Sequence, residues 1–198
     1  MTQQVSRRLF IAGASFTGLA STSTYSEASS RSGRISVPFH LNPRRKLAPF
    51  GSSVSSAIVH YNRASPNVGT AGLLLEDGLE EAVALGFKTI IDMRGGDENG
   101  VAEESGKAKR LGIPRFHLPI TTKMIDQDLI TRFASIVEDL DQHPVLAHCV
   151  SANRVSGMWA LYRARCGVDP IVALEEARAC GLTSREPAIR EMLKLPPA

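Results

Sequence analysis

A short apolar run behind a proline, Pro144-Val145-Leu146-Ala147-His148, leads into Cys149, four small or polar residues, Arg154 and a helix-forming stretch to Ala164. The run reads as a buried parallel strand. Val155 to Ala164 reads as a helix with apolar residues on one face. A strand that turns sharply into a helix points successive backbone N–H groups into one concavity, with the positive end of the helix behind it. Such a concavity binds anions and favours the thiolate form of a cysteine held there. Arg154 adds a planar, five-donor fork suited to a tetrahedral oxyanion. The turn has no glycine between Val150 and Asn153. Asn153, the side chain there that best tolerates a left-handed backbone, is therefore expected to take that conformation.

The rest of the body alternates strand and helix. Asn67 to Ala71 reads as a short edge strand, Glu76 to Leu85 as a helix stopped by Gly86, and Lys88 to Met93 as a buried β-branched strand. Val101 to Leu111 is a charged amphipathic helix ending at Gly112. Arg115 to Leu118 is a further strand and Ile125 to Leu140 a long helix with Leu129, Phe133, Ile136, Val137 and Leu140 inward. Asp169-Pro170 opens another helix, with Gly181 just past its end, and Ser184 is expected to cap a last one from Glu186 to Leu193. Such alternation predicts an α/β fold of three layers, α/β/α, around a central, mostly parallel sheet. Ligands then sit beyond the carboxyl ends of the strands, where the Cys149 turn lies.

The segment His148-Cys149-x-x-x-x-Arg154 resembles the active-site loop of the cysteine-dependent phosphatases. Within them it is most similar to the dual-specificity-like bacterial branch described as beta-lactamase-hydrolase-like phosphatase domains. The resemblance runs from about Tyr61 onward and includes Gly86 to Arg94 and Gly112 to Ile120. It implies a hydrolase that removes phosphate from phosphomonoesters through a phosphocysteine intermediate. Cys149 would be the nucleophile, Arg154 and the backbone of Val150, Ser151, Ala152 and Asn153 the phosphate cradle, and His148 and Ser156 the support of the loop. The family's leaving-group acid is an aspartate on the loop after a strand like Arg115 to Leu118. Threonines, Thr121 and Thr122, stand there in this chain, and Asp126 is the nearest carboxylate. Asp126 and Asp128 also precede a helix and suit capping it. The residue after the arginine, usually a hydroxyl, is Val155, with Ser156 one place later.

Two other readings fit the same residues. Typical tyrosine phosphatases have five residues between cysteine and arginine, whereas this chain has four. That gap also occurs in rhodanese-like sulfurtransferases, in which Cys149 would carry a persulfide. A non-catalytic module that binds phosphate is the third reading, consistent with the displaced aspartate. Asp92 and Arg94 point toward the site from another strand end, with Arg94 expected to pair with a local carboxylate. Cys166 and Cys180 flank a helix and read as small buried residues that could pair, leaving Cys149 free.

No cofactor or metal is implied. His40, His60, His117, His143 and His148 are scattered, and there is no dinucleotide or triphosphate glycine loop. Nucleic-acid binding is not expected either, since there is no basic helix, aromatic platform or zinc-finger spacing. The implied partner is a phosphorylated substrate.

The N-terminal part has a different character. Ser6-Arg7-Arg8-Leu9-Phe10-Ile11 looks like a twin-arginine export signal, with a small-residue cleavage pattern at Ser26-Glu27-Ala28. Its apolar part is too short and too rich in Gly, Ser and Thr to span a membrane stably. Residues 1–28 are thus expected to engage the export machinery and direct the protein to the periplasm. Residues 29–56 read as a Ser/Pro-rich basic arm, and 57–198 as the phosphatase-like domain. From Ala28 to Leu75 there are six basic residues and no acidic one; from Glu76 onward 15 basic residues face 19 acidic ones. The overall charge of +3 therefore hides a basic arm on a mildly acidic body.

Overall fold

The computed structural model describes residues 46–197, so the expected signal and most of the arm lie outside the described residues. Five strands form one sheet in the order β1-β2-β5-β3-β4. They are β1 (Asn62–Ser65), β2 (Val68–Ala71), β3 (Thr89–Asp92), β4 (Arg115–His117) and β5 (Val145–His148). β2, β5, β3 and β4 run parallel, and β1 closes one edge antiparallel to β2. β2, β3 and β5 are buried at every position, which is why they read as unbroken apolar or β-branched runs.

Helices cover both faces: α1 (Gly78–Leu85), α2 (Val101–Leu111), α3 (Gln127–Val137), α4 (Asn153–Arg165), α5 (Pro170–Ala179) and α6 (Glu186–Met192). Alternating strand residues divide between two cores. Ile90 and Leu146 pack with Leu79, Ala82 and Ala108 of α1 and α2. Ile91, Val145 and Ala147 pack with residues of α3, α4, α5 and α6. This is the three-layer α/β/α arrangement expected from the sequence. α1 and α2 end where expected, at Gly86 (φ 94°) and Gly112 (φ 68°), whose left-handed backbone a side chain would strain.

α4 is the central helix of its layer, packed against α3, α5 and α6. It is buried without a break from Val155 to Arg163, not on one face only. Trp159, Tyr162 and Met158 are almost wholly enclosed, each adding roughly 1.5–3 kcal/mol of burial. At its C-terminal half, Glu176 of α5 accepts hydrogen bonds from Arg163 (2.6 and 2.8 Å) and Trp159 (3.2 Å).

Four expectations need correction. β2 lies inside the sheet, because the unpatterned Asn62–Ser65 pairs with it and supplies the edge. The body begins before residue 57: Ala48 is buried and its N–H donates to Pro66 O (2.8 Å), while the Tyr61 hydroxyl donates to Pro49 O (2.7 Å). These are single contacts with no period, so the sequence does not display them. Ser184 does not cap α6. Arg185 holds that position, and the Ser184 hydroxyl accepts from Asn153 Nδ2 (2.7 Å). Finally, Cys166, read as a small buried residue, is only partly buried; it and Cys180 are unpaired thiols, as is Cys149.

Candidate active site

The site grows from the C-terminal end of β5, the middle strand. Met93 N donates to His148 O (3.0 Å) and Cys149 N to Ala71 O (3.3 Å), so both neighbouring strands grip the chain as it leaves the sheet. Leu73 N then donates to Val150 O (3.0 Å). Gly72 makes this approach possible: a Cβ there would lie 2.8 Å from Val150 O and 3.2 Å from Val59 O, both backbone atoms.

The left-handed residue is Ala152 (φ 64°), not Asn153. Asn153 is already the first residue of α4, and its side chain ties the turn to the α5–α6 connection. Its Oδ1 accepts from Thr183 N (3.0 Å) and Arg185 N (3.4 Å), and its Nδ2 donates to Ser184. Ala152 in turn fits because no larger side chain has room: it is fully buried, against Gly181. Among the described residues, the peptide N–H groups of Val150, Ser151, Ala152, Asn153 and Arg154 meet no protein acceptor. Unclaimed N–H donors at the start of a helix are the groups that can accept an anion. Val150 and Ser151 are exposed, whereas Cys149 is enclosed at the base.

Arg154 reaches back over this turn. Its guanidinium is gripped by both carboxylate oxygens of Glu98, Oε2 at 2.7 Å, and lies near enough to the Cys149 side chain to interact with it electrostatically. These contacts raise the pKa of Arg154, the Glu98 hydrogen bond foremost. The same bond holds the Glu98 carboxyl down at about 2, helped by the Gly95 N–H. Ser156 is buried, and its hydroxyl lies 2.8 Å from Ala152 O and 2.7 Å from Cys180 O. Its hydroxyl thus links the turn to the end of α5.

His148 stands on a buried charge network. Its Nε2 lies 3.1 Å from Glu104 Oε1 and 3.9 Å from Asp92 Oδ1. Arg94 bonds Asp92 and Glu104, each at 2.7 Å, and Arg115 joins the same two carboxylates at 2.5 and 3.1 Å. Burial pushes both carboxyls up, but the hydrogen bonds that Asp92 takes from Arg94 and Glu104 from His148, with the charge of Arg94, outweigh it and leave both below their ordinary range. Arg94 thus pairs with local carboxylates, as expected. Asp92, Glu104 and His148 are close enough to chelate a metal by type. Both carboxylates, however, already bind two guanidinium groups each, which would repel a cation at that point. The network fits a rigid base under the turn better than a metal centre.

Asp126 accepts a hydrogen bond from Asp128 N (2.8 Å) at the N-cap of α3, so its carboxylate satisfies that helix end. Residues that the sequence reading missed are Glu98, Gly72, Glu104 and Arg185. Glu98 lies in Gly95-Gly96-Asp97-Glu98-Asn99-Gly100, just beyond the carboxyl end of β3, and that position was its available signal. Arg185 sends Nη1 to Thr122 O (2.7 Å) and Lys123 O (3.2 Å), spanning from the start of α6 to the loop after β4.

Solved structures share this α/β fold. A candidate phosphatase from Neisseria meningitidis is 26% identical, with 70% of this chain and 97% of that one covered and a TM-score of 0.56. The core catalytic domain of the Saccharomyces cerevisiae PP-IP phosphatase Siw14 is 15% identical, with 69% and 90% covered and a TM-score of 0.57. Pseudomonas aeruginosa TpbA is 20% identical, with 77% and 92% covered and a TM-score of 0.56. No curated protein matches the sequence. The class is that of the dual-specificity-like, cysteine-dependent phosphatases. More narrowly, residues 59–191 match the family described as DSP-PTPase phosphatase fused to NAD+ kinase, and the chain belongs to that family.

Proposed function

We propose that Cys149 removes phosphate from phosphomonoesters in two displacements. Its sulfur attacks phosphorus as the ester oxygen leaves, and water then cleaves the S–P bond and frees phosphate. The peptide N–H groups of Val150 to Arg154 and the Arg154 fork hold the phosphoryl oxygens and stabilise charge in both transition states. His148 and Ser156 keep the turn in shape. The observation that carries this reading is Arg154, held by Glu98 beside the buried Cys149, at a turn whose peptide N–H groups have no protein acceptor among the described residues, with α4 behind it. Because Asp126 is engaged at α3, turnover is expected to favour aryl phosphates over alkyl phosphates, whose leaving oxygen needs a proton more. Assaying purified protein with an aryl phosphate, and separately with thiosulfate and cyanide, tests the reading: phosphate release supports it, and thiocyanate formation instead overturns it.

The Arg7-Arg8 signature supports a companion proposal, that the protein is exported by the twin-arginine route. Replacing both arginines by lysine is expected to retain the precursor in the cytoplasm. Unchanged export of that variant contradicts the proposal. Among the described residues, no helix is long and apolar enough to cross a membrane.

A further inference from the structure

The arginines beside the catalytic turn are not equivalent. Arg94 and Arg115 share Asp92 and Glu104, and Arg154 is paired with Glu98. Arg185 has no carboxylate partner among the described residues. Its position is nevertheless well fixed. The backbone is tied to the first residue of α4 through Asn153, and Nη1 is tied to the loop after β4 through two neutral carbonyls. A guanidinium has five N–H donors, and these two contacts engage only one of its nitrogens. The remaining fork, Nε and Nη2, has no protein acceptor among the described residues.

The charge environment agrees with the geometry. Burial disfavours the Arg185 cation, the neighbouring charge of Arg154 disfavours it further, and Cys149 alone is seen to oppose them. A half-buried cation fixed beside a second cation, with no counter-ion, is stabilised by an anionic ligand group. In the proposed reaction the phosphoryl being transferred is held by Arg154 and the amides of the turn, which leaves Arg185 for another group. Arg185 approaches from α6 and the loop after β4, a different side of the site.

We propose that Arg185 binds a second phosphoryl group of the substrate, so that the enzyme prefers a small molecule carrying two phosphates joined by an anhydride or on neighbouring atoms. This rests on the phosphatase reading above and narrows its substrate class. Lys123, exposed on the same loop, adds positive charge for such a ligand.

Two non-hydrolysable probes test it, methylphosphonate with one phosphoryl-like group and methylenediphosphonate with two. Each is measured as an inhibitor of aryl phosphate turnover and as a protector of Cys149 against alkylation. The wild-type protein is expected to bind methylenediphosphonate roughly tenfold or more tightly than methylphosphonate, as one added charge-assisted contact gives. Arg185→Gln should bring the ratio of the two constants to within roughly threefold. Arg185→Lys, which keeps the charge without the fork, should give an intermediate ratio. A wild-type ratio near one overturns the proposal without needing any variant to fold. So does an Arg185→Gln protein that weakens both probes in proportion, since that identifies Arg185 as a brace for the loop alone. If neither probe protects Cys149, the phosphatase reading itself fails, and the subsite with it.

Discussion

Replacing Glu104 by glutamine should destabilise this protein, because it neutralises one of the two buried carboxylates that Arg94 and Arg115 share. Glu104 is 7% exposed and accepts from Arg94 (2.7 Å), Arg115 (3.1 Å) and His148 (3.1 Å). With Asp92 it balances the two guanidinium groups. The neutral amide leaves one buried positive charge without a counter-ion and turns an NH2 group toward donors. Removing one partner of a buried pair costs about 3–5 kcal/mol. In a domain of this size each kcal/mol lowers Tm by roughly 2–4 °C, so Glu104→Gln should fall by about 6–20 °C. Glu103→Gln, an exposed neighbour on α2, is the control and should change stability by no more than about 0.5 kcal/mol. Urea unfolding of the three proteins, compared by midpoint at equal slope, measures the difference. Because His148 directly precedes Cys149, protection of Cys149 by phosphate should weaken in parallel. If Glu104→Gln comes within about 1 kcal/mol of Glu103→Gln, the network is not the base of the turn.

Acid should act through the same carboxylates. A carboxyl whose pKa is lowered on folding stabilises fully above its unfolded value of about 4.3 and progressively less as pH falls toward its folded value. The urea midpoint should therefore drop below about pH 4.5 and keep dropping toward pH 2, as Glu98, Glu104 and Asp92 protonate, with a shallower fall in Glu104→Gln. Gly72→Ala forces a Cβ against two backbone oxygens and should cost about 1–3 kcal/mol while loosening phosphate protection of Cys149; unchanged protection contradicts the role given to Gly72. Ala152→Gly relieves a left-handed alanine and should raise stability by up to about 1 kcal/mol in urea unfolding, whereas a clear loss would show that the methyl group's packing dominates.

The layers and the catalytic turn were legible because burial leaves a plain record. Val145 to Ala147 and Thr89 to Ile91 are apolar or β-branched throughout, and Gly86 and Gly112 mark their helix ends. Cys149 and Arg154 stand out because a strand, a turn and a helix place them together within a few residues. β1 was not legible, since Asn62–Ser65 has no alternation and is ordered by pairing with β2. Glu98 and Arg185 were hidden for another reason. Glu98 lies 56 residues before Arg154 and Arg185 lies 32 residues after Asn153, the residues they bond at the turn, so only the fold brings them there. Ala152 shows tertiary packing overriding local preference: Asn153 suits a left-handed backbone, but its amide is needed to hold Thr183, Ser184 and Arg185.

The central claim is that phosphate passes through the sulfur of Cys149. Rapid acid quench of the protein with an aryl phosphate carrying a radiolabelled phosphoryl group tests it most directly. The account predicts label on Cys149 during turnover, none in Cys149→Ser, and loss of phosphate release in that variant, whose hydroxyl is a far weaker nucleophile. Phosphate release that persists in Cys149→Ser, or steady turnover with no label on Cys149, would contradict it.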